Sequence, residues 1–379
     1  MSHSLPPADQ PISNIGGMQR VASELTNALA ARTDIEYDTI ELRSTWKGLH
    51  RKVPGFLFRT LIELRRRASR REVDVVLFSS MVTASLAVAL RRPFRRNGVA
   101  SAAIVHGLDV TMRNPLYQWF VPRVFASVDL LLPVSRATAT ACVVRGLPRG
   151  KLTVIPNGVD TDRFPEPAYD HNGDRRTLSR LANGSPLPED AFVVCSVGRQ
   201  VERKGFSWFA GNVMPMLPDD VHYVLAGDGP EADAIREASR SGGVGHRVHV
   251  LGRIEEKDLG LLYRASDVFV MPNVPIDGDM EGFGVVMLEA GLSGLPTVAA
   301  RLEGIRDVVA DGQNGVLVPP RNEAAFAQAV TRYYESRDYL KEASAKAFRY
   351  TADSFGWHTV SDMYVTVLRR LAESAASDG

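Results

Sequence analysis

The chain has 379 residues, 45% of them hydrophobic, and a formal net charge of +1. This length predicts two domains of ordinary size, and the hydrophobic fraction is typical of a globular protein with a buried core. The balanced charge excludes a general attraction to nucleic acid, and no apolar run approaches the ~20 residues that a membrane span needs.

Short apolar runs alternate with helical patterns along most of the chain. The predicted strands are 73–80, 101–107, 129–135, 152–158, 192–198, 222–228, 247–252, 267–272 and 296–300. Because these runs are apolar throughout and are separated by helices, they predict parallel sheets covered on both faces. The expected class is α/β, with two Rossmann-like domains whose ligands bind at the carboxyl ends of the strands.

The stretch from Asp160 to Asp190 interrupts this alternation with prolines, glycines and charges, and we interpret it as the linker between domains. An amphipathic helix is predicted from about Phe355, and its pattern fits either a return to the first domain or a cap on its own domain. The predicted boundaries are 1–165, 166–354 and 355–379.

The two cysteines, Cys142 and Cys195, lie in separate regions without metal-like spacing, which predicts a reducing compartment and no disulfide framework. The first residues are polar and proline-rich rather than a signal peptide. We therefore expect a cytoplasmic protein, and peripheral attachment to the inner face of the membrane is a hypothesis.

Two features of the first domain are candidates for ligand contact. Gly16 and Gly17 precede a clear amphipathic helix, where bare amides and the helix dipole suit a phosphate. The alternative is a simple turn. His106 ends the strand 101–107, where it can donate a hydrogen bond to a substrate or tie down its own loop.

Two cations follow the first strand of the second domain. Arg199 and Lys204 are five residues apart, and a guanidinium and an ammonium at this spacing can both reach one diphosphate. The alternative is a solvated charged loop, since Glu202 and Arg203 are charged as well.

The strongest local pattern is GDMEGFGVVMLEAGLSGLP at 278–296. It predicts a helix that begins near Phe283 or Gly284, whose first amides suit a phosphate. Glu281 lies just outside this helix, where it can reach a sugar, and Glu289 can accept from vicinal ribose hydroxyls. A helix start with favourable acids explains Glu281 but not the glycine pattern.

The segment 46–71 is strongly basic, and its only acid is Glu63. Its apolar side chains are Phe56, Phe58, Leu61, Ile62 and Leu64. Such a segment can bind an anionic membrane surface, or it can be an ordinary helix with a basic solvated face.

From Gly16 onward the sequence resembles the family 4 glycosyltransferases, whose two Rossmann-like domains face each other across a cleft in the GT-B fold. The matching pieces include GGMQRVASEL, VHGLD, VIPNGVDTDRF, VGRQVERKG and EGFGVVMLEA. The Glu-x7-Glu pair, Glu281 and Glu289, is the family's most specific signature. The amino-acid sequence of the 278–290 segment most closely resembles that of family members that extend mannosylated inositol lipids.

The resemblance implies a phosphate site without a metal cofactor. Arg199 and Lys204 neutralise the donor diphosphate, which in other enzymes a metal does. The backbone contacts that the resemblance implies are those of Gly17, Phe283, Gly284 and Val285.

The resemblance also implies contacts with the rest of the donor. Arg253 and Ile254 lie beside the base, and Glu289 holds the ribose. Glu281 contacts the sugar hydroxyls, and His106 lies against the sugar from the first domain.

The implied function is retaining transfer of a hexosyl group from GDP-mannose or a UDP-sugar to a sugar, polysaccharide or lipid-linked acceptor. Alternatives are a nucleotide-sugar epimerase of the same fold and a non-catalytic nucleotide-sugar-binding protein.

One departure from the family is that no convincing strand precedes Gly16. This predicts a missing or short first strand and a less stable first domain.

Overall fold

The computed structural model describes residues 2–5, 17–44, 49–112, 114–164, 172–181 and 187–377. The chain divides into two compact units. The first unit comprises Met1–Gly158 and Trp357–Gly379, and the second comprises Val159–Gly356. Gly16 lies outside the described residues.

The described strands are β1 (Ser2–Leu5), β2 (Glu41–Arg43), β3 (Val75–Phe78), β4 (Ala100–Val105), β5 (Leu130–Pro133), β6 (Phe192–Val197), β7 (Val221–Ala226), β8 (Val248–Gly252), β9 (Val268–Met271), β10 (Thr297–Ala300) and β11 (Gly315–Val318). The helices of the first part of the chain are α1 (Gly17–Ala30), α2 (Leu49–Ser69), α3 (Met81–Ala84), α4 (Ala87–Arg96), α5 (Gly107–Thr111), α6 (Pro115–Ser127) and α7 (Arg136–Val144). They are followed by α8 (Asn172–Leu181), α9 (Phe206–Trp208), α10 (Ala232–Ser241), α11 (Glu256–Ala265), α12 (Val286–Leu292), α13 (Ile305–Val308), α14 (Glu323–Glu335), α15 (Arg337–Phe355) and α16 (Trp357–Ser377).

The first unit contains a parallel sheet in the order β3-β4-β5 and a separate parallel pair, β1-β2. Every residue of β4 is buried, as its largely apolar sequence predicts for a strand covered on both faces. The sequence predicts a missing or short first strand, and the structure has a short one. This strand, β1, has four residues and precedes the helix α1, and its Leu5 is buried.

The second unit is built on six parallel strands in the order β11-β10-β9-β6-β7-β8. Counted from β6, this is the Rossmann order 3-2-1-4-5-6, in which the first and fourth strands are neighbours. The pairing Val194↔Val268 joins them. Ligands of such sheets bind beside the carboxyl ends of these two strands, where successive crossovers leave in opposite directions.

The C-terminal helix α16 packs within the first unit, against α1, β3 and β4. Trp357 Nε1 donates to Glu24 Oε2 at 2.7 Å, and Arg32 forms an ion pair with Asp362. Gly158 is required here, because a Cβ on it would lie 2.5 Å from the Trp357 ring.

Of the described helices, none is long and apolar enough to cross a membrane.

The predicted strand at 152–158 is an irregular segment. Leu152 forms an isolated bridge with Leu131, and the amides of Thr153 and Ile155 donate to carbonyls of β5. Within the described residues no amide of this segment after Ile155 donates to β5, so the ladder ends there. The other predicted strands are present, and β11 is an additional strand at the edge of the second sheet.

The linker interpretation of 160–190 is wrong for the helix α8. Its Arg175 donates to Asp267 Oδ2 at 2.6 Å and to the Ala265 carbonyl, and its Leu178 is fully buried. The apolar pattern of this helix is weak because a paired arginine takes one of its buried positions.

Two histidines on neighbouring strands form a buried pair in the second unit. His222 Nδ1 and His249 Nε2 are 2.9 Å apart, and their rings stack. Burial lowers the pKa of both, and the nearby Arg247 and His246 add to this at His222. At His249 burial and the neighbouring histidines lower the pKa to about 4. The folded protein thus keeps the pair neutral.

We expect this pair to destabilise the fold at acidic pH. Between the ordinary histidine pKa of 6.5 and the folded value of about 4 the unfolded chain binds more protons, so stability falls as the pH falls. His249 alone contributes roughly 3 kcal/mol to this loss. Urea unfolding at about pH 7 and about pH 4.5 measures it, and His249→Gln should show a shallower pH dependence. Equal pH dependence of the variant and the wild type would contradict the expectation.

Candidate active site

Charged side chains follow the two central strands of the second sheet. Arg199 and Lys204 come after β6, and Asn273 and Glu281 come after β9. Since the carboxyl ends of β6 and β9 are adjacent, the topology predicts that the two loops meet.

The two loops do meet, at the carboxylate of Glu281. Lys204 Nζ donates to Glu281 Oε2 at 2.6 Å, and Asn273 Nδ2 donates to the same oxygen at 3.2 Å. The Arg203 guanidinium also donates to Oε2, and its Nε forms a second ion pair with Asp279. Lys204 is 7% exposed and Glu281 9% exposed, so this is a nearly buried ion cluster.

Burial and neighbouring charges act in opposite directions on the pKa of Lys204 and on that of Glu281. Burial raises the pKa of Glu281, but the charges of Lys204 and Arg203 outweigh it and lower the pKa to about 2. Burial lowers the pKa of Lys204, and the Glu281 charge opposes this effect. The cluster therefore presents an ionised Glu281 carboxylate beside the Lys204 and Arg203 side chains.

Backbone contacts hold these two loops together. Gly205 has a left-handed φ of 66°, and a Cβ on it would lie 2.1 Å from the Pro272 carbonyl oxygen. The Val274 amide donates to the Arg203 carbonyl at 3.0 Å. Only glycine fits at Gly205, and this lets Lys204 and Glu281 approach each other.

The loop after β10 fixes the Glu281 backbone. The Glu281 amide donates to the Glu303 carboxylate, and the Gly304 amide donates to the Glu281 carbonyl at 3.1 Å. Glu303 has a φ of 41°, which is strained for a residue with a Cβ. A Cβ on Gly304 would lie 2.2 Å from the Gly282 carbonyl oxygen.

We expect Gly304→Ala to displace Glu281 and Gly282. The added methyl group meets backbone, so the cost is about 1–3 kcal/mol of unfolding free energy. A displacement of ~1 Å at the site lowers kcat on the order of 100-fold. Turnover and thermal unfolding measure both effects. Gly173→Ala, on an exposed face of α8 with open space, is the matched control. Normal turnover in Gly304→Ala would contradict this role.

The helix α12 begins at Val286, later than the predicted start near Phe283 or Gly284. Gly284 has a φ of 90°, which is not helical, and this delays the start. The Phe283 ring is buried against Phe355. Within the described ranges no acceptor pairs with the amides of Phe283, Gly284 or Val285, so these three N–H groups can bind an anion.

Glu289 lies in α12 and is buried. Arg163 Nη1 donates to its Oε1 at 2.8 Å, and the Tyr263 hydroxyl donates to its Oε2 at 3.0 Å. Arg163 also forms an ion pair with Glu256. The second acid of the Glu-x7-Glu pair is thus held at both oxygens.

Two family models match the chain. One, described as glycosyl transferases group 1, matches residues 191–336, and the other, described as glycosyltransferase family 4, matches residues 15–163. The chain belongs to the family 4 glycosyltransferases.

Curated relatives of this glycosyltransferase use several acceptors. The GDP-mannose-dependent alpha-(1-6)-phosphatidylinositol monomannoside mannosyltransferase of Mycobacterium tuberculosis strain H37Rv is 27% identical over 317 residues, which is 81% of this chain and 79% of that protein. The D-inositol 3-phosphate glycosyltransferase of Geodermatophilus obscurus is 35% identical over 235 residues, 59% of this chain and 48% of that protein.

Solved glycosyltransferases have the same fold. Sucrose-phosphate synthase from Thermosynechococcus elongatus superposes with a TM-score of 0.73 at 20% identity, covering 98% of this chain and 99% of that one. HepE of Anabaena in complex with UDP superposes with a TM-score of 0.72 at 18% identity, covering 97% and 99%. The predicted α/β class and GT-B fold are confirmed.

The remaining predicted site residues lie on both units of the glycosyltransferase. Arg199 and Arg253 are exposed, and Ile254 is half-buried in the second unit. Gly17 is the exposed first residue of α1. His106 is buried ahead of α5, where its amide donates to Asp109 Oδ2 at 3.2 Å, so its backbone does tie down its own loop.

Five residues that hold the two acids of the glycosyltransferase were not predicted from the sequence to have a role. They are Arg163, Arg203, Tyr263, Asn273 and Glu303. Arg163 belongs to the family segment VIPNGVDTDRF, which was a usable signal, whereas Arg203 resembled a solvated charge. In the described part of the chain, no group of three or more His, Cys, Asp or Glu side chains could hold a metal ion.

Proposed function

We propose that this glycosyltransferase moves a hexosyl group, with retention of configuration, from GDP-mannose or a UDP-sugar to an acceptor hydroxyl. The observation that carries the proposal is the buried Lys204–Glu281 pair at the carboxyl ends of β6 and β9. All the hydrogen bonds to the Glu281 side chain involve Oε2, and among the described residues none reaches Oε1. Oε1 can therefore accept from a sugar hydroxyl.

The donor diphosphate gains negative charge as it leaves. Lys204 lies in the ion pair with Glu281, and Arg199 is exposed and follows the same strand, β6. Together with the open amides of residues 283–285, these side chains add positive potential without a metal ion. Such preorganised groups stabilise the transition state more than the ground state, because the charge they meet develops during the reaction.

In the proposed reaction the acceptor oxygen attacks the anomeric carbon on the face from which the diphosphate leaves. The bond from this carbon to the phosphate oxygen breaks, and its electron pair stays on that oxygen. The same oxygen takes the proton of the acceptor hydroxyl. Glu281 holds and orients the sugar, and it forms no covalent bond.

A thermal-shift screen of UDP, GDP and ADP sugars tests the donor. A true donor at about 100 times its Kd stabilises the fold by about 2.7 kcal/mol, which raises Tm by several degrees. No shift with any of these sugars would contradict the proposal. Product formation from the stabilising donor without any acceptor would instead favour an epimerase.

We further propose that the acceptor is lipid-linked and that α2 contacts an anionic membrane surface. On α2 Phe58 is 65% exposed and Ile62 is 55% exposed, one turn apart, and Arg65 is exposed beside them. Arg66 and Arg67, by contrast, form ion pairs with Glu63. Among the described residues Arg65 has no ion-pair partner, so the helix combines exposed apolar side chains with an exposed cation, as an interfacial helix does.

Vesicle flotation tests this contact. The double variant Ile62→Ser, Arg65→Gln should lose binding to phosphatidylinositol-containing vesicles, while Arg66→Gln, a matched change on the same helix, should keep most of it. Equal flotation of both variants and the wild type would contradict the proposal.

A further inference from the structure

Arg163 and Tyr263 hold the second acid of the Glu-x7-Glu pair from two sides. The Glu289 side chain is 4% exposed and that of Arg163 is 16% exposed. A carboxylate buried to this extent needs a charged partner, because burial without one costs several kcal/mol. Arg163 supplies that charge to Oε1, and the Tyr263 hydroxyl donates to Oε2.

Arg163 is itself fixed by its surroundings. It ends the short turn Thr161–Arg163, in which Asp160 Oδ1 accepts from the Asp162 amide at 3.0 Å. Its other guanidinium nitrogen pairs with Glu256. The next residue, Phe164, packs edge-on against Tyr263 with ring centroids 5.9 Å apart. The cation and the phenol that hold Glu289 are therefore parts of one packed cluster.

This arrangement fixes the plane of the Glu289 carboxylate. The arginine at one oxygen and the phenol at the other set an orientation that neither side chain can change alone. A vicinal diol places two hydroxyl donors at a fixed separation, and it matches two oxygens of a carboxylate only when that carboxylate is correctly oriented.

We propose that Arg163 is a positioning residue, which orients Glu289 so that donor affinity depends on the ribose hydroxyls. The inference rests on the proposed function, since it assumes that Glu289 meets the ribose of a nucleoside diphosphate. Arg163 contacts Glu289, and we propose no direct contact between Arg163 and the ribose. Tyr263 acts in the same way from the other side, with a neutral donor.

Binding of ribose and dideoxyribose nucleotides tests the proposal. Calorimetric Kd values are measured for GDP and 2′,3′-dideoxy-GDP, and in parallel for UDP and its dideoxy analogue. The wild type should prefer the ribose form by about tenfold or more. In Arg163→Gln the preference should fall toward onefold, because GDP or UDP affinity drops and dideoxy affinity stays nearly constant.

Two further variants separate positioning from a general loss of structure. Tyr263→Phe removes one hydroxyl and should lower the preference by a smaller factor, and Arg163→Lys should restore part of it. Arg301→Gln, which breaks an exposed ion pair with Asp311, is the matched control and should keep the wild-type preference.

Equal loss of affinity for the ribose and dideoxy forms in Arg163→Gln would overturn the inference, because a purely structural role has that effect. An unchanged preference in all Arg163 and Tyr263 variants would overturn it as well. Failure of the wild type to bind either GDP or UDP would overturn the proposed function, and this inference with it.

Discussion

Glu281→Gln is expected to lower kcat on the order of 100-fold or more. Glutamine keeps the shape of the side chain but loses the charge that balances Lys204 and Arg203. It also replaces a strong acceptor for sugar hydroxyls by a weaker one. Turnover at saturating donor measures the effect.

The same substitution should also destabilise the second unit. Lys204 is left buried with less compensation, and loss of one partner of a buried ion pair costs about 3–5 kcal/mol. Circular dichroism below the lowered Tm shows whether the variant is folded during the assay. Glu237→Gln, which changes an exposed carboxylate paired with Arg240 and hydrogen-bonded by Ser241, is the control. If the folded Glu281→Gln variant has a turnover within tenfold of wild type, the assignment of Glu281 to the active site is wrong.

Lys204→Met is expected to lower kcat/KM by a similar or larger factor. Methionine fills the buried space of the lysine stem but supplies no charge to the leaving diphosphate. We expect a loss of about 100- to 1,000-fold, as for the removal of one group that stabilises a developing negative charge. The control is Lys257→Met, which changes an exposed lysine beside Glu255. A loss of less than tenfold would contradict the assignment.

Lys204→Met should also change the pH dependence of the reaction. In the wild type Glu281, with a pKa of about 2, is ionised at any ordinary assay pH. Without Lys204 only Arg203 and the Asn273 hydrogen bond still oppose the effect of burial, so the pKa of Glu281 rises. Activity of the variant should therefore fall on the acid side at a pH where the wild type is unaffected. A pH profile parallel to that of the wild type would contradict the electrostatic coupling.

Much of the fold could be predicted from the sequence because the strands are short, apolar and regularly spaced. The exceptions have local physical causes. The predicted strand 152–158 pairs with β5 through the amides of Thr153 and Ile155 and forms no regular strand, and the paired Arg175 takes a buried position that a periodicity search counts as polar. The β2 strand has only three residues, too few for a pattern.

The predicted site divides in the same way. Glu281 and Glu289 belong to one continuous motif, and Lys204 lies in a loop that chain topology brings to the same sheet edge. Arg163 is 126 residues from Glu289, and no short-range pattern joins them. The strained φ of Glu303 is a property of the folded backbone, so a sequence pattern cannot reveal it.

Hexosyl transfer that depends on Glu281 is tested most directly by the release of nucleoside diphosphate from the stabilising donor, with and without a lipid-linked acceptor, by the wild type and by Glu281→Gln. We expect acceptor-dependent release by the wild type and on the order of one hundredth of that rate in the variant. Equal release by the two proteins, or no release from any GDP, UDP or ADP sugar by the wild type, would contradict it.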